Sequence, residues 1–244
     1  MKKIAFISAF ALIALVGCEP DETPRLATYA VEGIDLSHHQ SKVNWDTVAA
    51  QGIQFAFVKA TEGKRHLDSF YCRNWDEMQR VGIKRGAYHF FRPSLDALEQ
   101  AQNFMRTVDL RYGDLPPVLD VESDDDLPRE IVVKQLKTWL YWVEIEYSMR
   151  PIIYTHYKFY NKFIAGEFDK YPIWIAKYGG DAPRLGAGVQ WQFWQYGNRG
   201  KLHGIEGFVD FNVFHGSRED LDKMCLSGAM LSGNKKHRLP MVQN

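Results

Sequence analysis

Eight short apolar runs, rich in β-branched and aromatic residues, constrain the fold of this chain more than any other feature. Helical patterns separate the early runs, and each run has the length of a single strand. The runs cover residues 31–37, 53–61, 84–93, 116–123, 150–155, 171–178, 189–196 and 207–214. Strands that alternate with helices favour a (β/α) barrel with a parallel sheet.

The helical patterns are fewer than the strands. They cover residues 44–52, 68–82, 95–110, 128–149 and 218–225. The connections 179–188 and 197–206 are glycine-rich and show little helical pattern. We therefore expect an α/β fold, an irregular TIM-like barrel with eight strands and fewer than eight helices.

The amino-terminal residues have the pattern of an export signal. A basic start, MKK, precedes an apolar stretch that ends at Cys18. The run Leu15-Val16-Gly17-Cys18 resembles a bacterial lipobox, which implies lipidation of Cys18, export, and anchoring in the cell envelope, at the outer membrane. An ordinary signal peptide with a chance cysteine is the alternative. The expected organisation is a signal peptide (1–17), a lipidated cysteine and tether (18–30), the barrel (31–225) and a flexible tail (226–244).

The charge balance argues against a nucleic-acid partner, and the spacing of the His and Cys residues argues against a metal. The 30 basic and 30 acidic side chains balance, whereas nucleic-acid-binding domains carry a basic excess. The His and Cys residues lack the spacing of zinc ligands, so we expect neither a metal nor a cofactor. Cys72 and Cys225 would be able to pair in an exported protein, but two separate buried thiols are the favoured interpretation.

The stretch PPVLDVES, residues 116–123, ends a predicted strand with two acids. The carboxyl ends of barrel strands form the functional face. Asp120 and Glu122 project to the same side, with Cα atoms about 6.6 Å apart. Two acids this close cannot both ionise freely in a partly dry site, so the pKa of one should rise and make it a proton donor. The alternative role for Asp120 and Glu122 is capping or calcium binding, to which the acidic run of residues 124–126 would contribute.

Other predicted strands also end in polar or aromatic side chains. These residues are Asp35, Lys59, Tyr88, Tyr154, Trp174, Gln195 and Asp210. For the cleft residues among them, the alternative role is plain packing. For Lys59, a further alternative role is a salt bridge with an interior acid.

Seven ordered segments carry a resemblance to a known family. They are GIDLSHHQSKVNW, FAFVKATEG, GAYHFFRP, LPPVLDVE, IIYT, YPIWIAKY and WQFWQYGNRG with GIEGFVDFNVF. In this order they resemble family 25 glycoside hydrolases, lysozymes that cut the β-1,4 bond after N-acetylmuramic acid in peptidoglycan. The family fold is an incomplete (β/α) barrel, in agreement with the helix-poor last third.

The resemblance implies roles for individual residues. Glu122 matches the general acid, and Asp120 matches the companion acid that orients the substrate's 2-acetamido group. Asp35 and Asp210 match two further acids that hold charge and water. Five residues match positions that line the cleft: Lys59, Tyr88, Tyr154, Trp174 and Gln195. His38-His39-Gln40 departs from the Tyr or Trp of many members, and a position at the rim of the core is the favoured role for His39.

The expected activity is therefore that of a muramidase that acts on peptidoglycan strands, with retention and assistance from the substrate's acetamido group. A carboxylate nucleophile remains an alternative mechanism. Two alternative functions also remain: a hydrolase of chitin or another glycan on the same barrel, and a non-catalytic lipoprotein that binds wall glycan. We expect a monomer whose only membrane contact is the lipid on Cys18.

Overall fold

The computed structural model describes residues 22–228, so the predicted signal peptide, Cys18 and residues 229–244 lie outside the described residues. Nine strands occur in this range: β1 (Glu32–Leu36), β2 (Phe55–Glu62), β3 (His66–Leu67), β4 (Lys84–Phe90), β5 (Val118–Asp120), β6 (Ile152–His156), β7 (Ile173–Ala176), β8 (Phe193–Gly200) and β9 (Val209–Phe214). The α-helices in it are α1 (Trp45–Ala50), α2 (Tyr71–Val81), α3 (Ala97–Thr107), α4 (Arg129–Tyr147), α5 (Tyr157–Phe159) and α6 (Arg218–Met224). No helix within residues 22–228 has the length and apolar character needed to span a bilayer.

Eight of the strands close into a barrel in the order β1-β2-β4-β5-β6-β7-β8-β9, and β9 pairs back onto β1. The short strand β3 lies outside the barrel, as the second arm of a hairpin with β2. The prediction of an irregular α/β barrel with eight strands and fewer than eight helices is confirmed.

The last strand corrects the expectation of a fully parallel barrel. Neighbours from β1 to β8 are parallel, but β9 is antiparallel to both β8 and β1. The connection of residues 201–208 is too short for a parallel crossover, which needs about a dozen residues or more. The start of β9 therefore lies at the end of the barrel where the parallel strands finish.

Two apolar clusters fill the space inside and outside the barrel. The inner cluster contains Phe55 and Phe57 of β2, Trp174 of β7 and Phe193 of β8, and α6 contributes Leu221 to it. Glycines make room for the rings, because a Cβ on Gly33 would lie 2.5 Å from the ring of Phe55. The outer cluster joins the strands to the helices. A stripe of α4 enters it with residues spaced three or four apart: Val132, Leu136, Trp139, Leu140 and Val143.

Residues 22–30, predicted as part of a tether, pack against the side of the barrel that has few helices. The backbone N–H of Thr23 donates to the carbonyl of Arg199 at 3.0 Å. Tyr29 contacts two tryptophan rings, with centroid distances of 5.9 Å to Trp191 and 6.0 Å to Trp194. This segment therefore covers the outer face of β8, where a helix would lie in a regular barrel.

Other local predictions differ from the structure in detail. The segment after β6 contains α5 and a turn of π-helix (Tyr160–Ile164), where the sequence pattern showed no helix. Leu226, placed at the start of the flexible tail, is buried. Cys72 and Cys225 are separate free thiols, as favoured, but Cys72 is exposed.

We expect Tyr29→Ala to lower the free energy of unfolding by about 1–3 kcal/mol, because the variant loses apolar burial and two aromatic pairs. Denaturant titration measures this change. Tyr112→Ala is the matched control, since Tyr112 is 76% exposed, and it should change stability by less than about 0.5 kcal/mol. Equal stabilities of the two variants would show that residues 22–30 do not hold the barrel wall.

Candidate active site

A cavity of about 160 Å³ lies at the end of the barrel where the parallel strands finish. The structure brings all nine residues predicted for the site to its wall. The lining residues are Asp35, Ser37, His39, Lys59, Tyr88, Phe90, Asp120, Glu122, Tyr154, Trp174, Gln195 and Asp210. Their predicted roles in catalysis and binding remain predictions, but their convergence on one cavity is observed.

Asp35 and Asp210 face each other across the β1–β9 pair. Oδ1 of Asp35 accepts hydrogen bonds from Nε2 of Gln195 at 2.8 Å and Nδ2 of Asn212 at 2.6 Å. The two carboxyl groups are also hydrogen-bonded to each other. Burial raises the pKa of Asp35 well above its usual range, and the charge of Asp210 raises it further. Burial also raises the pKa of Asp210, to about 6.

The two carboxyl groups differ in burial, and the difference favours the proton on Asp35. Asp35 is buried and Asp210 is partly exposed, so burial raises the pKa of Asp35 more and Asp35 keeps its proton to a higher pH. The pair therefore shares one proton near neutral pH, as expected for carboxyl groups in contact in a site with little water.

Asp120 is the last residue of β5 and is only 5% exposed. Its Oδ1 atom is buried and accepts no hydrogen bond from any described residue. Burial raises the pKa of Asp120 well above its usual range, and the charges of Glu122 and Asp35 raise it further, although Lys59 opposes this. A buried carboxyl oxygen without a donor is unusual in a folded protein, and Asp120 is one of the residues that line the cavity.

Glu122 lies beyond the end of β5, at the exposed mouth of the cavity. Partial removal of its carboxyl from water raises its pKa, and the nearby His156 lowers it slightly. From the sequence we expected repulsion between the two acids to raise the pKa of one of them, and in the structure that repulsion acts on Asp120, whereas burial raises the pKa of Glu122. Asp120 keeps its proton to a higher pH than usual, so it carries little charge when Glu122 ionises.

Lys59 pairs with a carboxylate outside the group of four acids. Its Nζ atom lies 2.5 Å from Oε2 of Glu62, and Glu62 also accepts from Arg92 at 2.6 and 3.0 Å. Burial alone would raise the pKa of Glu62, but the bonds from Lys59 and Arg92 outweigh it and lower that pKa to about 2. The cation that lowers the pKa of Asp120 is therefore itself paired with Glu62.

Aromatic side chains fix the amides that hold Asp35. The hydroxyl of Tyr154 donates to Oε1 of Gln195 at 2.8 Å, and Nε1 of Trp174 donates to Oδ1 of Asn212 at 2.7 Å. Trp174 also stacks on Phe57, with a centroid distance of 4.4 Å. These contacts set the orientation of both amide groups, so each amide nitrogen is directed at Asp35.

Several residues of the site were not among the predicted ones. Asn212 was detectable from the sequence, because it follows Asp210 by two positions in a strand and so shares its face. His39 is exposed at the mouth of the cavity, whereas the sequence favoured a position at the rim of the core. Ser37 and Phe90 had no distinguishing sequence pattern, and neither had Tyr178, whose hydroxyl donates to Oε1 of Gln195 at 2.7 Å.

His156 is another residue that the sequence argument missed, and it holds the backbone of Glu122. The N–H of Phe159 donates to Nδ1 of His156 at 3.1 Å, so Nε2 carries the hydrogen in the neutral ring. Nε2 in turn lies 3.1 Å from the carbonyl oxygen of Glu122. His156 thus ties the start of α5 to the residue that stands at the mouth of the cavity.

Residues 34–205 match the family model for Glycosyl hydrolases family 25. The chain belongs to glycosyl hydrolase family 25. It is 35% identical over 218 residues to Lysozyme M1 of Streptomyces globisporus, a match that covers 83% of this chain and 74% of that protein. It is 44% identical over 200 residues to Uncharacterized protein YegX of Escherichia coli (strain K12), and this match covers 80% of this chain and 73% of that protein. The structure is also similar to the solved structure of a family 25 glycosyl hydrolase from Bacillus anthracis, with a TM-score of 0.79 and 33% sequence identity. That match covers 86% of this chain and 100% of the other chain.

The family 25 match ends at residue 205, before β9 begins. Asp210 and Asn212 are therefore assigned to the site by the geometry of this structure, through their bonds to Asp35. Without β9, the family 25 barrel would be open between β8 and β1.

Asp210→Asn tests the shared proton. A carboxyl group with a raised folded-state pKa stabilises the fold fully below its unfolded pKa, and this stability is lost as the pH rises through the folded pKa. For Asp210 the window runs from about pH 4, the ordinary value, to about pH 6. Between pH 4 and 7 we expect the wild type to lose about 1–3 kcal/mol more unfolding free energy than the variant.

Denaturant titration across this pH range measures the difference. The control is Asp181→Asn, an exposed carboxylate, which should leave the wild-type pH dependence unchanged. Parallel pH profiles for wild type and Asp210→Asn would contradict the shared proton.

Proposed function

We propose that the protein is a muramidase that hydrolyses the β-1,4 bond between N-acetylmuramic acid and N-acetylglucosamine in peptidoglycan. The observation that carries the proposal is the convergence of four acids with raised pKa values on one cavity: Asp35, Asp120, Glu122 and Asp210. Similarity to Lysozyme M1 and to the Autolytic lysozyme of Clostridium acetobutylicum supports the choice of a wall glycan as substrate.

Glu122 acts as the general acid in this mechanism. It stands at the mouth, where a leaving sugar can reach it, and its raised pKa keeps a larger fraction protonated at a given pH. Its proton passes to the glycosidic oxygen as the bond to the anomeric carbon breaks, which leaves positive charge on the sugar ring.

The substrate's acetamido oxygen attacks the anomeric carbon from the opposite face. In this mechanism Asp120, which lines the cavity, accepts the acetamido N–H and so orients the group for attack. The attack forms a cyclic oxazolinium ion. The Glu122 carboxylate then takes a proton from water, the water oxygen bonds to the anomeric carbon, and the ring opens with overall retention.

Asp35 and Asp210 contribute electrostatically. Their shared proton leaves one negative charge across the pair, held in place by Gln195 and Asn212. This charge lies in the same cavity as the positive charge that develops on the sugar ring. Fixed groups in a site with little water stabilise such a charge more strongly than they would in water.

Glu122→Gln removes the transferable proton and preserves the size of the side chain. We expect release of soluble products from purified peptidoglycan to fall by about 100- to 10,000-fold, with unchanged thermal stability. Glu130→Gln, an exposed glutamate at the start of α4, is the control and should retain full activity. Activity in Glu122→Gln equal to that of the wild type would remove Glu122 from the mechanism.

The products of the wild-type reaction distinguish the proposed activity from its alternatives. Reduction with borohydride and mass analysis should identify muramic acid at the new reducing ends. Reducing N-acetylglucosamine ends, or faster cleavage of chitin, would indicate another glycan hydrolase. Tight binding to wall glycan with no cleavage would indicate a non-catalytic protein.

We also propose that the protein is exported and held at the bacterial cell envelope by lipid on Cys18, through the lipobox-like run of residues 15–18. Two or three acyl chains are sufficient for stable anchoring, whereas one is marginal. Mass spectrometry of the protein from its native membrane should identify acylated Cys18 as the first residue, and Cys18→Ser should release the protein from the membrane fraction. An unmodified amino terminus at any other residue would refute this anchor.

A further inference from the structure

A second cavity of about 750 Å³ lies beside the catalytic one and takes no part in the mechanism above. We refer to it as the basic groove. Its principal side chains are His38, Glu62, Lys64, Arg65, His66 and Arg92. Three permanent cations thus face one carboxylate, in a chain whose overall formal charge is zero.

The single carboxylate of the basic groove is already neutralised. Glu62 accepts hydrogen bonds from both Lys59 and Arg92, which lower its pKa to about 2 against the effect of burial. Lys64 pairs with Glu99 at 2.7 Å, and both side chains are well exposed. Arg65 is exposed and has no ion pair within residues 22–228. The groove therefore keeps positive charge available to an anionic ligand.

The turn that carries these cations is held firmly. It joins β2 to β3, and Gly63 within it adopts a φ of +53°, a conformation that L side chains rarely adopt. Nδ2 of Asn103, a buried residue of α3, donates to the carbonyls of Gly63 at 3.0 Å and His66 at 3.2 Å. Lys64 and Arg65 therefore project from a fixed backbone, which reduces the entropy lost when they bind a ligand.

The basic groove and the catalytic cavity share a wall. Phe90 lines the catalytic cavity, and the guanidinium of Arg92 lies 4.6 Å from the centroid of its ring. Lys59 and Arg92 bind the same carboxylate, Glu62, from the two sides. A ligand in the catalytic cavity that carries an anionic branch is thus able to place that branch in the groove.

We infer that the basic groove binds the carboxylates of the peptide stem that wall glycan carries on muramic acid. The inference rests on the proposed function, since the stem is attached through the lactyl ether of the sugar whose bond is cut. The stem is rich in carboxylates, and arginine binds carboxylates with paired, directional hydrogen bonds. The enzyme therefore favours glycan strands that retain their stems over strands from which the stems have been removed.

Arg65→Glu tests this preference, because Arg65 is exposed and its replacement breaks no ion pair within residues 22–228. Two substrates are compared: glycan strands with intact stems, and the same strands after an amidase has removed the stems. We expect kcat/KM on stem-bearing strands to fall by about 3- to 10-fold and kcat/KM on bare strands to stay unchanged. The matched control is Arg111→Glu, a 64% exposed arginine in the loop before β5, which should alter neither value.

A binding measurement separates the groove from the hydrolysis. The probe is the soluble stem tripeptide L-Ala-γ-D-Glu-diaminopimelate, which contains no glycosidic bond, titrated into wild type, Arg65→Glu and Arg111→Glu. Binding that weakens several-fold in Arg65→Glu alone, and also weakens with added salt, supports the inference.

Other results overturn the inference and leave the proposed function distinguishable from it. An equal fall in kcat/KM of Arg65→Glu on both glycans rules out stem recognition by the groove, and so does equal tripeptide binding by all three proteins. Neither result affects the proposed muramidase activity. Loss of binding to anionic phospholipid vesicles in Arg65→Glu, with no change towards stems, assigns the groove to a membrane surface. Absence of hydrolysis on both glycans in the wild type refutes the proposed function, and the tripeptide titration still decides what the groove binds.

Discussion

Closure of the barrel by an antiparallel strand is the constraint on which the site depends. Because β9 begins where the parallel strands end, its second residue, Asp210, lies opposite Asp35. Asn212 follows on the same face and donates to the same carboxyl group. A parallel strand in this position would have carried Asp210 to the opposite end of the barrel, and Asp35 would have lost the two partners that β9 supplies. The short connection that forces the antiparallel direction thus assembles the site.

The four acids differ in how completely their hydrogen bonds are satisfied. Asp35 is buried and has a full set of partners, all fixed by aromatic side chains or by β9. Asp120 is equally buried but retains an oxygen without a donor. Buried polar atoms are rarely left without partners unless a ligand or water completes them. This contrast separates an acid whose hydrogen bonds are completed by the described residues from an acid whose hydrogen bonds they leave incomplete.

The distribution of cations explains why the acids keep raised pKa values beside a lysine. Glu62 engages Lys59 and Arg92 together, and the effect of Lys59 on Asp120 is too small to outweigh burial, which raises the pKa of Asp120. The same three-residue chain forms the boundary between a cavity of acids and a groove of cations. One neutralised carboxylate therefore allows two opposite electrostatic environments to exist side by side.

The sequence by itself determined the strand runs, the incomplete helix ring and the residues at the strand ends, because apolar periodicity and residue type are local properties. It placed Asp120 and Glu122 side by side and selected Asp35 and Asp210 through a motif resemblance. Only the tertiary structure decided the direction of β9, the burial that raises each pKa, the partner of Lys59, the contact of His156 with Glu122, and the basic groove. These depend on distances between residues far apart in the chain, such as Gln195 and Asp35, and no local pattern encodes such a distance.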